Sequence, residues 1–213
     1  MRLFDAADLY VVITEAFCAG RPALDVLDAC LAAGVRLVQM REKDRSDMAL
    51  YELGLAFRKL TRDAGALMIV DDRLDLALAV NADGVHLGQS DLPVGVARGL
   101  APELVLGASS HSLEEALEAQ NAGASYVNIG PVFDTQTKSV PTGTVGLGMI
   151  DTIRPHLRVP FTCMGGIKLE NIQQVTARGA QRCAVVTAVT AAPDPRAAAE
   201  ALRRAMGAEI PAR

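Results

Sequence analysis

A pattern that repeats eight times along this 213-residue chain limits the folds available to it. The repeat has a short apolar run, a polar or glycine-rich turn and, in most cases, a stretch with apolar residues at helical spacing. The apolar runs lie at residues 10–13, 35–40, 67–70, 84–87, 104–106, 126–129, 159–164 and 183–186. Strands that alternate with helices favour βα units and a parallel sheet. We therefore predict an α/β fold in which residues 1–213 form a single-domain (β/α)8 TIM barrel, with an open doubly wound sheet as the alternative.

Local signals support the same arrangement. A glycine beside an alanine precedes four of the runs, at Gly34, Gly65, Gly123 and Gly179. Such a glycine commonly ends a helix in the left-handed conformation. Ser112 precedes Glu114 and Glu115 by two and three residues, where a helix N-cap is expected.

Charge and composition exclude some classes of protein. The formal net charge of −4 lacks the basic excess of a nucleic-acid-binding surface. No apolar stretch approaches the ~20 residues that span a bilayer, and the first residues do not resemble a signal peptide. We expect a soluble, cytoplasmic protein with neither a nucleic-acid nor a membrane partner. The four cysteines form no CxxC pair and are expected to be reduced: Cys18, Cys30, Cys163 and Cys183.

The residues that follow the second apolar run are candidates for binding an anion. In a parallel barrel the active site lies at the C-terminal ends of the strands. Side chains alternate along a strand, so Gln39, Arg41 and Lys43 share one face. Two cations and an amide at the barrel mouth suit an anion with several oxygens. The alternative is a solvated loop whose cations pair with Glu42 and Asp44.

Aspartates follow the third and fourth runs, where loops from adjacent strands meet. Asp72 and Asp91 are suited to hold one Mg²⁺ ion, which takes one or two carboxylates together with water and substrate phosphate. The alternative is that these aspartates cap helices. Asp71 or Asp72 would then cap a helix beginning near Leu74, and Asp91 one beginning after Pro93.

Polar residues also follow the fifth run. The Ser109 hydroxyl is placed to bind phosphate or to polarise a leaving group. His111 is a candidate acid or base, but no acidic partner is evident for it in the sequence. His86 lies within an apolar run and is predicted to be a core histidine with its hydrogen bonds satisfied.

The loops after the last three runs are candidates for binding phosphate groups. Thr135, Thr137 and Lys138 supply two hydroxyls and a cation able to cradle a pyrophosphate, although an ordinary polar loop is the alternative. Residues 139–148 are predicted to form a mobile loop near the site. Gly165 and Gly166 after the seventh run allow a phosphate to approach the backbone closely, as phosphate-binding barrels require.

Three segments of this mouth carry motifs: VQMREK at residues 38–43, DGVHLGQSDLP at 83–93 and GPVFDTQTK at 130–138. MGGI at 164–167 and VVTA at 185–188 add to them. Together these segments resemble the thiamine phosphate synthase family, and the resemblance extends from about Leu9 to Ala205. The second and third motifs are specific, whereas MGGI is shared by many phosphate-binding barrels.

The resemblance implies a Mg²⁺-dependent transferase of thiamine biosynthesis. The family joins 4-amino-2-methyl-5-hydroxymethylpyrimidine diphosphate to 4-methyl-5-(2-phosphoethyl)thiazole, called thiazole phosphate below, and releases pyrophosphate by a dissociative mechanism. The resemblance implies two sets of residues for the pyrimidine substrate: Gln39, Arg41 and Lys43 bind its diphosphate beside Asp71, and Asp72 and Asp91 hold Mg²⁺. It also implies that pyrophosphate or thiazole-side groups are bound by Ser109, Thr135, Thr137 and Lys138. Thiazole phosphate would be received by Gly165, Gly166, Val186 and Thr187. Catalytic roles are expected for Arg41, Lys43, Ser109 and Lys138. By analogy a homodimer is possible.

The chain departs from the family's pattern at a few positions. Asp71 stands where asparagine is usual, and an ionised aspartate accepts hydrogen bonds without donating them. Asp71 is therefore expected either to join the metal shell or to alter binding of the pyrimidine diphosphate. Thr187 stands where serine is common and keeps the hydroxyl, and the turn at Cys163 and Met164 is bulkier than usual.

Three other functions compete with the synthase. They are a thiazole tautomerase of the same fold, another barrel isomerase acting on a phosphosugar, and an inactive barrel that senses a thiamine precursor. The tautomerase would not need the diphosphate-binding cations, and the isomerase would need a partner for His111. Retention of the charged residues of the mouth favours the synthase over all three.

Overall fold

Eight parallel strands form a closed barrel in the part of the chain that the computed structural model describes, residues 1–135 and 143–210. They pair in chain order and the last pairs with the first: β1 (Leu9–Ile13), β2 (Leu37–Met40), β3 (Leu67–Asp71), β4 (Gly84–Leu87), β5 (Val105–Ser110), β6 (Tyr126–Ile129), β7 (Phe161–Cys163) and β8 (Cys183–Val185). The predicted TIM barrel is confirmed, and the doubly wound alternative is wrong.

Helices alternate with these strands and surround the barrel. They are α1 (Arg2–Asp5), α2 (Ala23–Ala32), α3 (Asp47–Asp63), α4 (Leu74–Ala79), α5 (Val94–Leu100), α6 (Leu113–Asn121), α7 (Gly148–Ile153), α8 (Ile172–Thr176), α9 (Thr187–Thr190) and α10 (Pro195–Ala205). The four glycines before strands have φ of 81°, 64°, 98° and 89°, which confirms their left-handed conformation. The Ser112 hydroxyl caps α6 as predicted, accepting from the Glu115 N–H. Among the described residues, no helix is long and apolar enough to cross a membrane.

The interior of the barrel is closed at its N-terminal end by α1. Phe4 is fully buried and its ring lies 4.6 Å from the ring of Tyr126, centroid to centroid, inside the barrel. Arg182 holds the helix in place, since its guanidinium donates to the carbonyl oxygens of Phe4 and Asp5 at 2.7 and 2.9 Å. The opposite, C-terminal end is where the loops after the strands gather.

A second apolar layer lies between the strands and the helices and contains all four cysteines. They are buried and form no disulfide, as predicted. Burial raises the pKa of Cys30 and of Cys183 to about 12. These thiols are therefore packing residues that keep their protons.

β5 extends further than the sequence predicts. Its apolar run ends near Leu106, but pairing with β6 continues through Ser109 and Ser110. The strand carries small residues here because Tyr126 fills the barrel beside it: a Cβ on Gly107 would lie 2.2 Å from Tyr126 Cζ. The prediction that Ser109 lies in a loop after the strand is wrong, and the strand fixes its side chain directly.

Candidate active site at the C-terminal mouth

The segment after β2 is fixed to the end of β1. The Arg41 N–H donates to the Ile13 carbonyl at 2.9 Å, and the Thr14 hydroxyl donates to the Arg41 carbonyl at 2.6 Å. The buried Glu42 carboxylate accepts from the Glu15 N–H at 2.7 Å. These bonds direct the side chains of Arg41 and its neighbours across the mouth.

Arg41 and Lys43 form ion pairs with the aspartates at the end of β3. Asp71 Oδ2 lies 3.4 Å from Arg41 Nε and 2.8 Å from Lys43 Nζ, and Lys43 also contacts Asp72. Burial lowers the pKa of Lys43, but the hydrogen bonds to Asp71 and Asp72 outweigh this and raise it above its ordinary value. The alternative in which Glu42 and Asp44 neutralise these cations is wrong, because the register of β2 and β3 brings Asp71 closer.

Asp72 and Asp91 lie next to each other at the mouth. Asp72 has a φ of 57°, and its N–H donates to the His86 carbonyl at 2.8 Å. Asp91 Oδ2 accepts from the Gly88 N–H at 2.7 Å. The pKa of Asp91 is raised, first by burial and also by the neighbouring Asp72 carboxyl. The predicted adjacency of the two carboxyls is thus present.

The helix-capping alternative for these aspartates is wrong. The N-cap residue of α4 is Arg73 and that of α5 is Pro93, and neither helix has a side-chain cap. Asp71 is held by the two cations instead, and burial followed by the nearby Asp72 raises its pKa. Asp71, Asp72 and Asp91, with Arg41 and Lys43, form what we call the charged half of the mouth.

His86 is buried and fully engaged, as predicted. Its Nδ1 lies 3.0 Å from the Tyr126 hydroxyl and its Nε2 lies 3.0 Å from Ser109 Oγ. His111, by contrast, has an acidic partner that the sequence did not reveal: its Nδ1 lies 2.8 Å from a Glu115 carboxylate oxygen. Glu115 is four positions further along the chain, and the first turn of α6 brings it back over the end of β5.

A cavity of about 670 Å³ occupies the other half of the mouth, which we call the cavity half. It collects six of the predicted substrate-binding residues: Ser109, Thr135, Gly165, Gly166, Val186 and Thr187. His111 and Lys168 also line it. The residues of the charged half are not in its lining, so the two halves present different chemistry side by side.

The turn after β7 depends on its two glycines. Gly165 and Gly166 have φ of 102° and 60°. A Cβ on Gly166 would lie 2.4 Å from the Asp134 carbonyl oxygen, and one on Gly165 would lie 2.3 Å from Pro131 Cβ. The turn therefore packs directly on the backbone of the loop after β6, and both loops share one wall of the cavity.

Part of the predicted pyrophosphate loop lies outside the described residues, namely Thr137, Lys138 and residues 139–142. Residues 143–146 have no regular secondary structure, and α7 begins at Gly148. The Val145 N–H donates to the Pro131 carbonyl at 2.9 Å, and Thr144 contacts Asp134. These bonds hold the chain against the cavity half at residues 144 and 145. That residues 139–148 form a mobile loop stays a prediction.

Asn128 is a cavity residue that the sequence analysis missed. It is 5% exposed, lines the cavity, and accepts a hydrogen bond from the Thr162 hydroxyl at 2.7 Å. It stands two residues after the inward-facing Tyr126, so strand alternation places it inside the barrel. A single polar residue at an inward position of an apolar run is the signal that identifies it.

The same barrel occurs in known proteins. The family model described as thiamine monophosphate synthase matches residues 9–189. The thiamine-phosphate synthase of Moorella thermoacetica is 47% identical over 197 residues, covering 92% of this chain and 94% of the relative. That of Chloroflexus aurantiacus is 46% identical, covering 92% and 90%. A thiamine phosphate pyrophosphorylase structure from Pyrococcus furiosus has a TM-score of 0.87 at 40% identity, covering 94% of this chain and 95% of that one.

Proposed function

Because this chain belongs to the thiamine monophosphate synthase family, we propose how the two halves of its barrel mouth perform the family's reaction. The chain is a transferase of thiamine biosynthesis that condenses the pyrimidine diphosphate with thiazole phosphate, giving thiamine phosphate and pyrophosphate. One observation carries the proposal: a cluster of cations and carboxylates lies directly beside a cavity with glycine-rich walls. The first suits a metal-bound diphosphate, and the second suits a ring that carries a single phosphate.

In the charged half, Arg41 and Lys43 bind the diphosphate. They already lie together, and their carboxylate partner Asp71 shows that an anionic oxygen fits between them. Gln39 lies below, buried, with its Nε2 donating to the Tyr10 hydroxyl at 2.7 Å. Gln39 thereby belongs to the buried layer of side chains directly beneath the site proposed for the pyrimidine diphosphate.

The carboxyls of Asp72 and Asp91 fit a Mg²⁺ ion. Two adjacent carboxyls, one with a raised pKa, form an oxygen donor pair whose mutual repulsion a divalent cation relieves. Within the described ranges no group of three or more His, Cys, Asp or Glu side chains has metal-binding geometry. Mg²⁺ uses one or two carboxylates and takes its other ligands from water and substrate phosphate. When bound, the ion would neutralise charge on the departing diphosphate.

In the cavity half, the backbone binds thiazole phosphate. At the start of α9 the Val189 and Thr190 N–H groups donate to the Val186 carbonyl, each at 3.0 Å, so within the described residues the N–H groups of Thr187 and Ala188 are the ones that the helix leaves for a ligand. Gly165 and Gly166 let the phosphate approach the facing turn. Val186 and the hydroxyl of Thr187 complete this wall, and Thr135 faces it from the loop after β6.

The reaction itself needs no nucleophile from the protein. The bond between the pyrimidine methylene carbon and the diphosphate oxygen breaks, and its electron pair leaves with pyrophosphate. The thiazole nitrogen then gives its lone pair to the methylene cation. Arg41, Lys43 and Ser109 hold the leaving oxygens and align the two rings. Thr137 and Lys138 are assigned to the same leaving group by the family resemblance.

Replacing Asp71 with asparagine is expected to lower the KM for the pyrimidine diphosphate about fivefold, since a negative charge competing for Arg41 and Lys43 is removed. The KM for thiazole phosphate is expected to stay the same. Steady-state kinetics with each substrate varied in turn measures both. A higher KM for the diphosphate would instead mean that Asp71 holds the two cations in their working positions.

Replacing Gly166 with alanine is expected to weaken thiazole phosphate binding about tenfold, because the new Cβ displaces the turn from the loop after β6. Calorimetric titration with thiazole phosphate measures the change. Gly65→Ala is the matched control: its φ is 64° and no atom lies within 4 Å of the added Cβ, at the far end of the barrel. Equal weakening in both variants would remove the turn from the phosphate site.

The reaction is tested by pyrophosphate release. The purified protein is mixed with the pyrimidine diphosphate, thiazole phosphate and Mg²⁺, with single-substrate and EDTA controls. Release is expected only with both substrates and metal, with thiamine phosphate as product. If the folded protein binds thiazole phosphate but releases no pyrophosphate, a tautomerase or a sensor would explain the site better, and His111 with Glu115 would be the acid–base pair to test first.

A further inference from the structure

Five side chains form a continuous line of hydrogen bonds across the inside of the barrel, beneath the mouth. In order they are Gln39, Tyr10, Tyr126, His86 and Ser109. The four distances are 2.7 Å from Gln39 Nε2 to the Tyr10 oxygen, 3.1 Å between the tyrosine oxygens, and 3.0 Å for each contact of His86. The line begins at Gln39, beneath the charged half, and ends at Ser109, which lines the cavity half.

The first member of the line gives it a direction. Gln39 Nε2 only donates, so the Tyr10 oxygen accepts at this end. Tyr10 is buried, and the oxygen of Tyr126 is the acceptor within reach of its hydroxyl proton. Tyr126 has then received a hydrogen bond and directs its own proton to His86 Nδ1. Burial raises the pKa of both tyrosines, so both keep the protons that this order requires.

The direction determines which nitrogen of His86 carries its proton. With Nδ1 accepting from Tyr126, the neutral imidazole has its proton on Nε2 and donates to Ser109 Oγ. The backbone of Ser109 is held as well, since its carbonyl accepts from Gln89 Nε2 at 2.6 Å. The hydroxyl proton of Ser109 is then left to point away from His86, toward the cavity that Ser109 lines.

We infer that Tyr10, Tyr126 and His86 are positioning residues, which set the Ser109 hydroxyl as a hydrogen-bond donor to an oxygen of the bound diphosphate where the charged half adjoins the cavity. In the reverse order, Ser109 would give its proton to His86 and would present only lone pairs to an anion. The line thus converts Ser109 from a group able to donate or accept into a donor. This inference rests on the proposed role of Ser109 in binding the leaving group.

The direction is tested without activity, by long-range ¹H–¹⁵N correlation spectra of the full-length protein labelled with ¹⁵N-histidine. The chain has three histidines, and the His86 signals are assigned by their loss in His86→Gln. A proton on Nε2 of His86 is the expected result. A proton on Nδ1 would mean that the line runs in reverse and would overturn the inference.

The effect on turnover is tested with a double-mutant cycle. Ser109→Ala is expected to lower kcat about tenfold, since one hydrogen bond to a charged group is lost. Tyr126→Phe removes only a hydroxyl and is expected to lower kcat about fivefold while both KM values stay within about twofold. In the Ser109→Ala background, Tyr126→Phe is expected to have no further effect. Tyr51→Phe, on the exposed face of α3, is the matched control and should leave kcat unchanged.

The outcomes separate this inference from the proposed function. If Tyr126→Phe lowered kcat by the same factor with and without Ser109→Ala, Tyr126 would act only on packing, and the inference would be overturned. Full turnover by Ser109→Ala would contradict the role of Ser109 in the reaction. The histidine spectra would in that case still decide the direction of the hydrogen bonds. Thermal unfolding of each variant accompanies the kinetics, and the spectra of the unaltered protein do not depend on variant stability.

Discussion

Lys43→Met is expected to lower kcat about 10²- to 10³-fold, because a cation aimed at charge that develops on the leaving group is lost. Lys43 contacts both Asp71 and Asp72, so its ammonium lies within the charged half, where we propose that the diphosphate and Mg²⁺ bind. Methionine keeps most of the length and apolar surface of the side chain. Pyrophosphate release at saturating substrates and Mg²⁺ measures the loss.

The matched control for this substitution is Lys59→Met on α3. Lys59 is 76% exposed and pairs with Asp63 one turn along the helix, which is a surface ion pair of little energetic consequence. Its substitution is expected to leave kcat unchanged. If Lys43→Met raised only the KM for the pyrimidine diphosphate and left kcat intact, Lys43 would contribute to binding the ground state and not to the departure of pyrophosphate.

Asp91→Asn is expected to raise the Mg²⁺ concentration that gives half-maximal activity about 10- to 100-fold, since one of the two carboxylates proposed to hold the metal becomes neutral. The asparagine oxygen can still accept from the Gly88 N–H, so the loop after β4 keeps its bond. A titration of activity against Mg²⁺ at fixed substrate concentrations measures the shift.

Asp63→Asn is the control for the aspartate substitution, with the same loss of charge at an exposed position of α3. Its Mg²⁺ titration is expected to match that of the unaltered protein. An Asp91→Asn titration that also matched would remove Asp91 from the metal site. The residual binding would then have to come from Asp72 and substrate oxygens.

The barrel could be predicted because its determinants are local. Eight apolar runs and the glycines that end helices repeat at regular intervals, and each contributes without reference to distant residues. Alternation along β2 predicts that Gln39 and Arg41 share one face at the mouth; in the structure Arg41 lies at the mouth, whereas Gln39 is buried and donates to Tyr10 inside the barrel. The cap on α6 was predicted from Ser112 alone, because a cap involves residues within one turn.

What the sequence did not reveal depends on pairing between strands. Asp71 meets Arg41 and Lys43 because β3 lies beside β2 in a particular register, and Glu42 was an equally acceptable partner on sequence grounds. The end of β5 was placed too early because a glycine such as Gly107 is typical of a strand end. In the structure the Tyr126 side chain occupies the space that a Cβ at this position would need, which explains the glycine inside the strand. Glu115 was overlooked as a partner of His111 for a different reason: the two are only four positions apart, and their contact depends on how the first turn of α6 follows the end of β5.

The short helix at the N-terminus has a consequence for the order of events in the enzyme. With Phe4 buried in the barrel and Arg182 anchoring α1 beneath it, the N-terminal end of the barrel is closed in the described part of the chain. In the proposed reaction both substrates therefore enter, and both products leave, through the C-terminal mouth. Pyrophosphate in the charged half would occupy the site proposed for the next pyrimidine diphosphate, so it has to leave before the next turnover begins.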